Sequence, residues 1–458
     1  MAVTRRDFLR SGALAVAAAS SPLQPLLTRR AWAGPGTTAP IASPYGAVAP
    51  VADASTGLEL LSLPPGFRYA SFSWTGDTMT DGTPVPSSHD GMAVVKQLAG
   101  REEELILVRN HERSSSTPFG PGGTPTFDAG AGGGTTTLRF RKGAWVSDEA
   151  SLTGTFRNCA GGPTPWGSWL TCEESLASGH GYVFEVPADS SASAVAITDL
   201  GRMNHEAAAV DPRSGYVYET EDRGDCGFYR MIPNDLSGQV GSLESGGTLQ
   251  MCKVLDGVGA PIDDWSDPLQ GEVRDVTWVD VDPTDPYDDG KSKGATTFRR
   301  GEGCWWSDAE EVIYWVSTSG GAAGRGVVFC YHPPTADPTL DGELEAFFVS
   351  DASAEANAID NLTVSAHGGL LLTEDGSSNP ERLMGLTADA CSYVFCENNV
   401  DLSSGDIAAA GKNVSPGNYR SSEMAGVCFD PDGRYLFVNV QVPGISFAIT
   451  GPWNLGPL

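Results

Sequence analysis

Positive charge is scarce in this sequence. Its 458 residues include 29 lysines and arginines against 58 aspartates and glutamates, which gives a formal net charge of −29. A chain this acidic repels nucleic acid and the anionic surface of a membrane, so the composition argues against both as partners. The excess of carboxylates instead suits calcium, a hard cation that binds oxygen ligands.

Long helical patterns and long apolar runs are absent. No amphipathic pattern of ten or more residues occurs, although Asn399–Lys412 could hold one short helix, and no segment after the N-terminus is long enough to span a membrane. The sequence also lacks a GxSxG nucleophile elbow and a phosphate-binding P-loop. Serine-nucleophile hydrolysis and nucleotide-driven chemistry are therefore poorly supported.

Closely paired cysteines are missing too. The nine cysteines include no CxxC pair, so a zinc-ribbon site is not expected, and their odd number leaves at least one outside any disulfide within the chain. Cys159 lies in the Gly/Pro-rich stretch Asn158–Glu174, which ends in two adjacent glutamates. A disulfide, a metal ligand, a nucleophile and a buried core thiol are all open for Cys159, whereas we interpret Cys172 as a buried core thiol.

The N-terminus has the pattern of a cleaved export signal. Thr4–Arg10 contains adjacent arginines, a short apolar run follows, and Ala31–Ala33 reads AWA, a small-residue cleavage site. We predict a twin-arginine signal peptide in residues 1–33 and a monomeric periplasmic or secreted protein. Residues 34–57 are expected to form a flexible tail, and residues 58–458 a single domain.

The rest of the sequence repeats one β-strand unit. Short runs rich in aromatic and β-branched residues predict strands, and Gly, Pro, Asp and Ser separate them. In Ala209–Asp222, Thr363–Gly376 and Cys428–Gln441, a strand enters an Asp/Gly-rich turn and a second strand follows. An irregular hairpin repeat without helices predicts an all-β fold, a six-bladed β-propeller, with a jelly roll or tandem β-sandwiches as alternatives.

Polar and acidic residues gather at the ends of the predicted strands. In a propeller, equivalent strand ends converge on the central channel, so these side chains would meet there. Crowded carboxylates repel each other unless cations neutralise them, which predicts a metal centre in the channel. The strand-end residues are Asn110, His111, Glu112, Glu173, Glu174, Asn204, His205, Glu206, Glu219, Glu221, Asp222, Asp225, Arg300, Glu302, Asp360, Asn361, Glu374, Asp375 and Glu423.

Two motifs within this set point to particular chemistry. His111 and His205 occupy identical Asn-His-Glu tripeptides, and each is either a structural histidine or a group that binds metal, orients a carboxylate or transfers a proton. Arg300 and Glu302 combine a guanidinium with a carboxylate, which suits an anionic substrate held above a metal. A surface position for Arg300 is the alternative.

These motifs together resemble the PhoX-type alkaline phosphatases. The resemblance covers about residues 58–450 and is carried by the stretches RNHE, NCAGGPTPWGSWLTCEE, GRMNHEA, YETED, RRGEG, DNLTVSAHGGLLLTEDG and SSEMAGVCFDPDGRYLFVNVQVPG. It implies a six-bladed propeller whose channel holds iron (Fe³⁺) and calcium, and the hydrolysis of small phosphate monoesters outside the cytoplasm. Metal-assisted phosphoryl transfer is the expected mechanism.

The resemblance also implies roles for individual residues. Cys159 would be a thiolate ligand of iron, Glu302 a carboxylate ligand, and Arg300 the catalytic residue that clamps the substrate phosphate. The remaining metal ligands would come from Glu173, Glu206, Glu219, Asp222, Asn361, Glu374 and Glu423. Further candidates for the site are Glu112, His111, His205, Glu221 and Asp375.

Two other functions fit parts of the same pattern. A calcium-dependent propeller hydrolase of another type, such as a lactonase or a phytase-like enzyme, would use the carboxylates without needing Cys159. A non-catalytic propeller would use calcium for rigidity and one face for binding a partner. Metal content, together with the effect of replacing Cys159, distinguishes these functions from a PhoX-like phosphatase.

Overall fold

Antiparallel β-strands form nearly all of the regular structure in the computed structural model, which describes residues 40–98, 104–189, 191–351, 356–376 and 378–458. The all-β prediction is confirmed. The predicted twin-arginine signal lies outside the described residues. Segment 34–57, expected to be a flexible tail, contains the short strand Ala49–Val51 and the buried Tyr45.

The strands of the N-terminal half are β1 (Ala49–Val51), β2 (Leu61–Leu63), β3 (Arg68–Phe72), β4 (His89–Leu98), β5 (Glu104–His111), β6 (Gly133–Arg141), β7 (Ala144–Thr155), β8 (Asn158–Pro163), β9 (Ser168–Glu173), β10 (Val183–Pro187), β11 (His205–Val210), β12 (Val217–Glu221), β13 (Phe228–Pro233) and β14 (Gly247–Val254). Those of the C-terminal half are β15 (Val273–Asp280), β16 (Gly301–Ser307), β17 (Val312–Ser317), β18 (Val327–His332), β19 (Glu343–Val349), β20 (Ile359–Val364), β21 (Leu370–Glu374), β22 (Arg382–Leu386), β23 (Ser392–Asn398), β24 (Asp401–Leu402), β25 (Gly417–Asn418), β26 (Met424–Phe429), β27 (Leu436–Val440) and β28 (Ile445–Thr450).

The helices of the described residues are short. α1 spans Pro286–Ser292 and α2 spans Ser404–Ala410. α2 fulfils the expectation of one short helix in this region, and it begins with a capping box in which Ser403 and Asp406 each bind the backbone N–H of the other. No helix in this part of the chain is long and apolar enough to cross a membrane.

The strands pair as successive antiparallel meanders. β4–β7 form one sheet and β8–β10 another, while β11–β14 and β16–β19 are joined through β15 into a nine-stranded sheet. β20–β23 continue into β2 and β1, and β26–β28 are completed by β3 from the N-terminal part of the chain. The small pair β24–β25 lies apart from these sheets.

The first strand of each meander packs against the first strands of its neighbours. We call β4, β8, β11, β16, β20 and β26 the inner strands, and β5, β9, β12, β17, β21 and β27 the second strands. Contacts run from β4 to β8, then in turn to β11, β16, β20 and β26, and return to β4. This closed sequence of contacts is a β-propeller-like arrangement.

Apolar layers between the sheets hold the inner strands in place. The indole of Trp315 on β17 stacks on Phe228 of β13 at a centroid distance of 4.9 Å and on Phe329 of β18 at 4.5 Å. All three side chains are fully buried, and each contributes about 2–3 kcal/mol of apolar burial. The contact of Trp315 with Phe228 packs the β16–β19 meander against the β11–β14 meander, and so helps to fix where their inner strands meet.

Candidate metal centre

A shared irregularity of the inner strands places the site. The pairing of inner and second strand shifts register between His89 and Met92, Asn158 and Gly161, His205 and Ala208, Gly301 and Cys304, and Ile359 and Leu362. A β-bulge interrupts the strict alternation of side chains and re-aims one of them. In each of these five strands the residue at the start of the bulge is a potential metal ligand; the five are Asp90, Cys159, Glu206, Glu302 and Asp360.

These bulge residues converge into one cluster. The potential ligand atoms of Cys159, Glu174 and Glu206 lie within 4.8 Å of one another, and so do those of Glu206, Glu302 and Asp360. Glu206 belongs to both groups and joins them. Its Oε1 lies 3.2 Å from the sulfur of Cys159, while its buried Oε2 has no hydrogen-bond partner among the described residues.

Two arginines border the cluster. The Arg300 guanidinium forks onto Asp222, with Nε donating to Oδ1 at 2.8 Å and Nη2 to Oδ2 at 3.0 Å, and Nη2 also donates to Glu302 at 2.8 Å. Arg157 donates to Glu112 at 2.7 and 2.9 Å and to Glu174 at 2.6 Å. The candidates Asp222, Glu112 and Arg300 therefore lie next to the cluster.

The remaining members lie on the side of β4, β20 and β26. Gln441, just after β27, donates to Asp90 at 3.1 Å and to Glu112 at 2.9 Å. Burial and then the charges of Asp90 and Asp360 hold the pKa of Glu423 well above its ordinary value. Among the charges near Asp360, that of Asp375, just after β21, raises its pKa most. Glu423 and Asp375 therefore face the same group of acids.

Burial and mutual repulsion govern protonation in the cluster. Burial, followed by the charges of Asp360 and Glu174, holds the pKa of Glu206 well above its usual range. Burial raises the pKa of Glu174 to about 7, although Arg157 opposes the shift, and burial with Asp375 raises that of Asp360 to about 7. Burial together with the charges of Asp90 and Glu206 raises the pKa of the Cys159 thiol. Without cations, these groups resist ionisation at neutral pH.

Several predicted ligands lie outside the cluster because their oxygens are already bound. Glu173 accepts hydrogen bonds from the backbone N–H of Phe156, Gly181 and Tyr182 and lies 2.7 Å from His180 Nδ1. Arg382 donates two hydrogen bonds to Glu374, from Nε at 2.7 Å and from Nη2 at 2.8 Å. Both carboxylates are fully buried; Glu173 ties β9 to the loop that follows it, and Glu374 ties β21 to the start of β22.

The two histidines also face away from the cluster. His111 lies 3.0 Å from both the Ser87 carbonyl and Thr136 Oγ1, and His205 lies 3.0 Å from Glu219 inside the core. In both Asn-His-Glu tripeptides the glutamate, not the histidine, reaches the cluster or its border. Glu219 is thus part of a buried pair with His205.

Glu221 is likewise bound elsewhere, and Asn361 is held through its backbone. Tyr229 donates its hydroxyl to Glu221 at 3.0 Å, and burial raises the pKa of Glu221 to about 7. The backbone N–H of Asn361 donates to Thr373 Oγ1, while its neighbour Asp360 enters the cluster.

Four groups that the structure places here are absent from the ligands that the resemblance implies. Glu174 and Asp360 are among the strand-end acids that the sequence places at the predicted metal centre, whereas Asp90 and Arg157 are in neither set. Asp90 follows a histidine and precedes a glycine at the start of β4, much as Glu206 follows His205 at the start of β11. That local likeness could have identified it.

A cavity of about 690 Å³ lies at the opposite ends of the inner strands. Its lining includes Val94, Pro163, Ala209, Trp305 and Phe429. None of the cluster residues lines it, and its walls are mainly apolar. The potential metal ligands therefore lie at the other end of the inner strands.

Comparison with known proteins places the chain in a family. The family model of alkaline phosphatase PhoX matches residues 43–148 and 122–444. The chain belongs to the PhoX alkaline phosphatase family. No curated protein matches it.

Two solved structures are similar to this PhoX-family chain in outline. A gluconolactonase from Xanthomonas campestris is 13% identical, with a TM-score of 0.38, and the match covers 89% of this chain and 98% of the other. A putative gluconolactonase is 11% identical, with a TM-score of 0.40, and covers 88% and 98% respectively.

The cluster is suited to the metal dependence of the PhoX family. It offers a thiol and several carboxylates, and within the described part of the chain the buried Oε2 of Glu206 has no donor. Cations would supply the missing partner and relieve the repulsion that raises the pKa values of the acids. Cys159, Glu174, Glu206, Glu302 and Asp360 are the residues that would hold them.

Proposed function

We propose that this chain is an exported, metal-dependent phosphatase that hydrolyses small phosphate monoesters. Membership of the PhoX family supports this function. The observation that carries it is the cluster around Glu206, in which a thiol and carboxylates from several inner strands lie beside the guanidinium of Arg300.

We infer six blades from the strand pairing. Each inner strand begins one meander, and the contacts between inner strands close after β26 returns to β4. On this interpretation β15 is a connection between two blades, and β3 completes the blade formed by β26–β28. Each blade then contributes to the centre through the same end of its inner strand.

We propose iron and calcium as the bound metals. A thiolate prefers a transition metal, whereas calcium takes carboxylate oxygens, so the mixed donor set suits one ion of each class. Cys159 would then bind the iron. The carboxylates that lie farther from the sulfur, Glu302 and Asp360, would serve calcium.

The protein groups account for substrate binding. Bound metals supply charge neutralisation and a lowered pKa of a coordinated water. The guanidinium of Arg300 is planar, and its side chain is 40% exposed, so it can present N–H donors to phosphate oxygens. Burial of Glu206 and Glu302 keeps their carboxylates at fixed positions, so little reorganisation accompanies the reaction.

Net charge has a consequence for the substrate. At −29, the whole protein repels phosphate esters at a distance, so attraction must come from cations concentrated at the cluster. We further propose a monomer that acts in the periplasm or after secretion, on the basis of the Thr4–Arg10 pattern.

Elemental analysis combined with an assay tests this function. Purified protein should contain iron and calcium and hydrolyse p-nitrophenyl phosphate, and removal of the metals by chelators should abolish turnover. Glu302→Gln should lower both metal content and activity. Glu311→Gln is a matched control, because Glu311 pairs with Arg213 in the hairpin before β17, outside the cluster. Full activity in protein stripped of iron and calcium would falsify the proposal.

A further inference from the structure

Arg157 and Arg300 occupy equivalent places in two sheets. Arg157 lies two residues before Cys159, and Arg300 lies two residues before Glu302. Both adopt a left-handed backbone, with φ of 52° and 45°. This conformation is uncommon for residues with a large side chain, so its recurrence marks a shared local geometry.

The backbone contacts of the two arginines match as well. The N–H of Arg157 donates to the carbonyl of Arg113, and its own carbonyl accepts from Glu174. The N–H of Arg300 donates to the carbonyl of Arg223, and its carbonyl accepts from Thr318. In each case the backbone of the arginine is held between two strand ends. One is the end of the second strand of the preceding meander, and the other is the end of the second strand of the arginine's own meander.

The side chains repeat the same interaction. Each guanidinium donates through Nε and Nη2 to the acid that follows the second strand of the preceding meander, Glu112 for Arg157 and Asp222 for Arg300. The Nη2 atom then also reaches a member of the cluster, Glu174 or Glu302. The two arginine side chains are 38% and 40% exposed.

One nitrogen of each arginine is left over. Nη1 of Arg157 and Nη1 of Arg300 have no hydrogen-bond acceptor among the described residues. The two arginines directly precede β8 and β16, at the same end of two inner strands, where the strands of a propeller converge on the central axis. A phosphoryl group bound at that axis would therefore meet N–H donors from two different sheets.

We propose that Arg157 is a second phosphate-binding residue, which donates to the substrate phosphoryl group together with Arg300. This inference rests on the proposed function and extends it. A phosphoryl group has three non-bridging oxygens, and two planar guanidinium groups from separate sheets can bind different oxygens of it. Such a pair favours a dianionic monoester over a phosphodiester, which has one ionised oxygen fewer.

The test uses Arg157→Lys and Arg157→Gln in metal-loaded protein. Arg157→Lys keeps the positive charge beside Glu112 and Glu174 but loses the planar fork. We expect the KM for p-nitrophenyl phosphate and the Kd for inorganic phosphate, measured by calorimetry, each to rise about tenfold, with a smaller effect on kcat. Iron and calcium content should stay at the wild-type level, and Arg157→Gln should weaken phosphate binding further.

Arg213→Lys is the matched control. Arg213 also forks onto a carboxylate, Asp211, through Nε and Nη2, but it lies in the hairpin at the far end of β11. We expect its phosphate affinity to be unchanged. This variant shows how much the replacement of any carboxylate-paired arginine by lysine changes KM and the phosphate Kd.

Two results would overturn the inference. One is a phosphate Kd within about twofold of wild type in metal-loaded Arg157→Lys. The other is a loss of iron or calcium in that variant that accounts for the loss of phosphate binding, because Arg157 would then only neutralise Glu112 and Glu174. Arg157-dependent phosphate binding in a protein without turnover supports the inference and rejects the proposed function, whereas a wild-type KM in Arg157→Lys, the kinetic counterpart of an unchanged Kd, rejects the inference alone.

Discussion

The sulfur of Cys159 lies 3.2 Å from Oε1 of Glu206, on the adjacent inner strand. Neither group has a neighbouring lysine or arginine among its hydrogen-bond partners in the described part of the chain. A thiol and a buried carboxylate at this separation are stable together when one carries a proton or when a cation binds both.

Replacement of Cys159 by alanine should remove the iron. The thiol is the only sulfur ligand in the two groups of potential ligands formed by described residues, so iron loses its preferred donor while the carboxylates can still bind calcium. Elemental analysis should show iron falling and calcium partly retained, with phosphatase activity lost. Cys428→Ala is the control, because Cys428 is a buried thiol on β26 within an apolar cluster. Unchanged iron content in Cys159→Ala would contradict the assignment.

Adjacent glutamates at the end of β9 should behave differently. Glu173→Gln should lower the free energy of unfolding of metal-free protein by about 2–3 kcal/mol, because buried N–H donors lose part of a charged acceptor. Glu174→Gln should leave that stability nearly unchanged and reduce metal content. Denaturant unfolding of chelated protein and elemental analysis of loaded protein measure the two effects. Equal effects of the two substitutions on metal content would show that the division of roles is wrong.

Metal-free protein should become less stable as the pH rises from about 4.5 to about 7. Burial raises the pKa values of Glu174 and Asp360 to about 7 in the folded state, above their values in the unfolded chain. Within this window the folded state holds protons that the unfolded state has released, so the free energy of unfolding falls with rising pH. Below the window both states are protonated, and the stabilisation is fully present.

Bound metals should remove this pH dependence, because the carboxylates are then ionised in the folded state. Urea unfolding at several pH values, with and without chelator, measures both curves. A metal-free protein whose stability increases across the window would contradict the burial of these acids.

Loss of the Arg300 guanidinium should slow the reaction more than it weakens metal binding. Arg300→Ala should lower kcat/KM by about 10²–10³-fold, the usual effect of removing one donor to a developing negative charge. Steady-state kinetics with p-nitrophenyl phosphate give the ratio, and elemental analysis confirms that the metals are retained. Arg213→Ala should have activity close to wild type. A kcat/KM for Arg300→Ala near that of Arg213→Ala would exclude Arg300 from substrate binding.

The fold class followed from the sequence because hairpin patterning is local. Strands rich in aromatic and β-branched residues, turns such as Asp211–Gly215 and the short helix in Asn399–Lys412 depend on neighbouring residues, and the structure contains all of them. Several of the acids expected at strand ends also lie close together in the structure, because the strands that carry them converge.

The choice of individual ligands was harder because side chains alternate along a strand. At the end of β9 the structural Glu173 is followed directly by Glu174, and at the end of β21 Glu374 is followed directly by Asp375. A difference of one position moves a side chain to the other face of the sheet. The bulges at the inner strands change that alternation again, and their positions depend on pairing with the second strands rather than on local sequence.

The pairing of β3 with β28 has a consequence for assembly. β3, from the N-terminal part of the chain, completes the sheet of β26–β28, and the cluster draws on residues from Asp90 to Glu423. A growing polypeptide cannot gather these ligands until almost all of it has been synthesised, and contacts between such distant segments form late in folding. Metal binding therefore depends on a complete and correctly folded chain, because a truncated or misjoined molecule would lack the site.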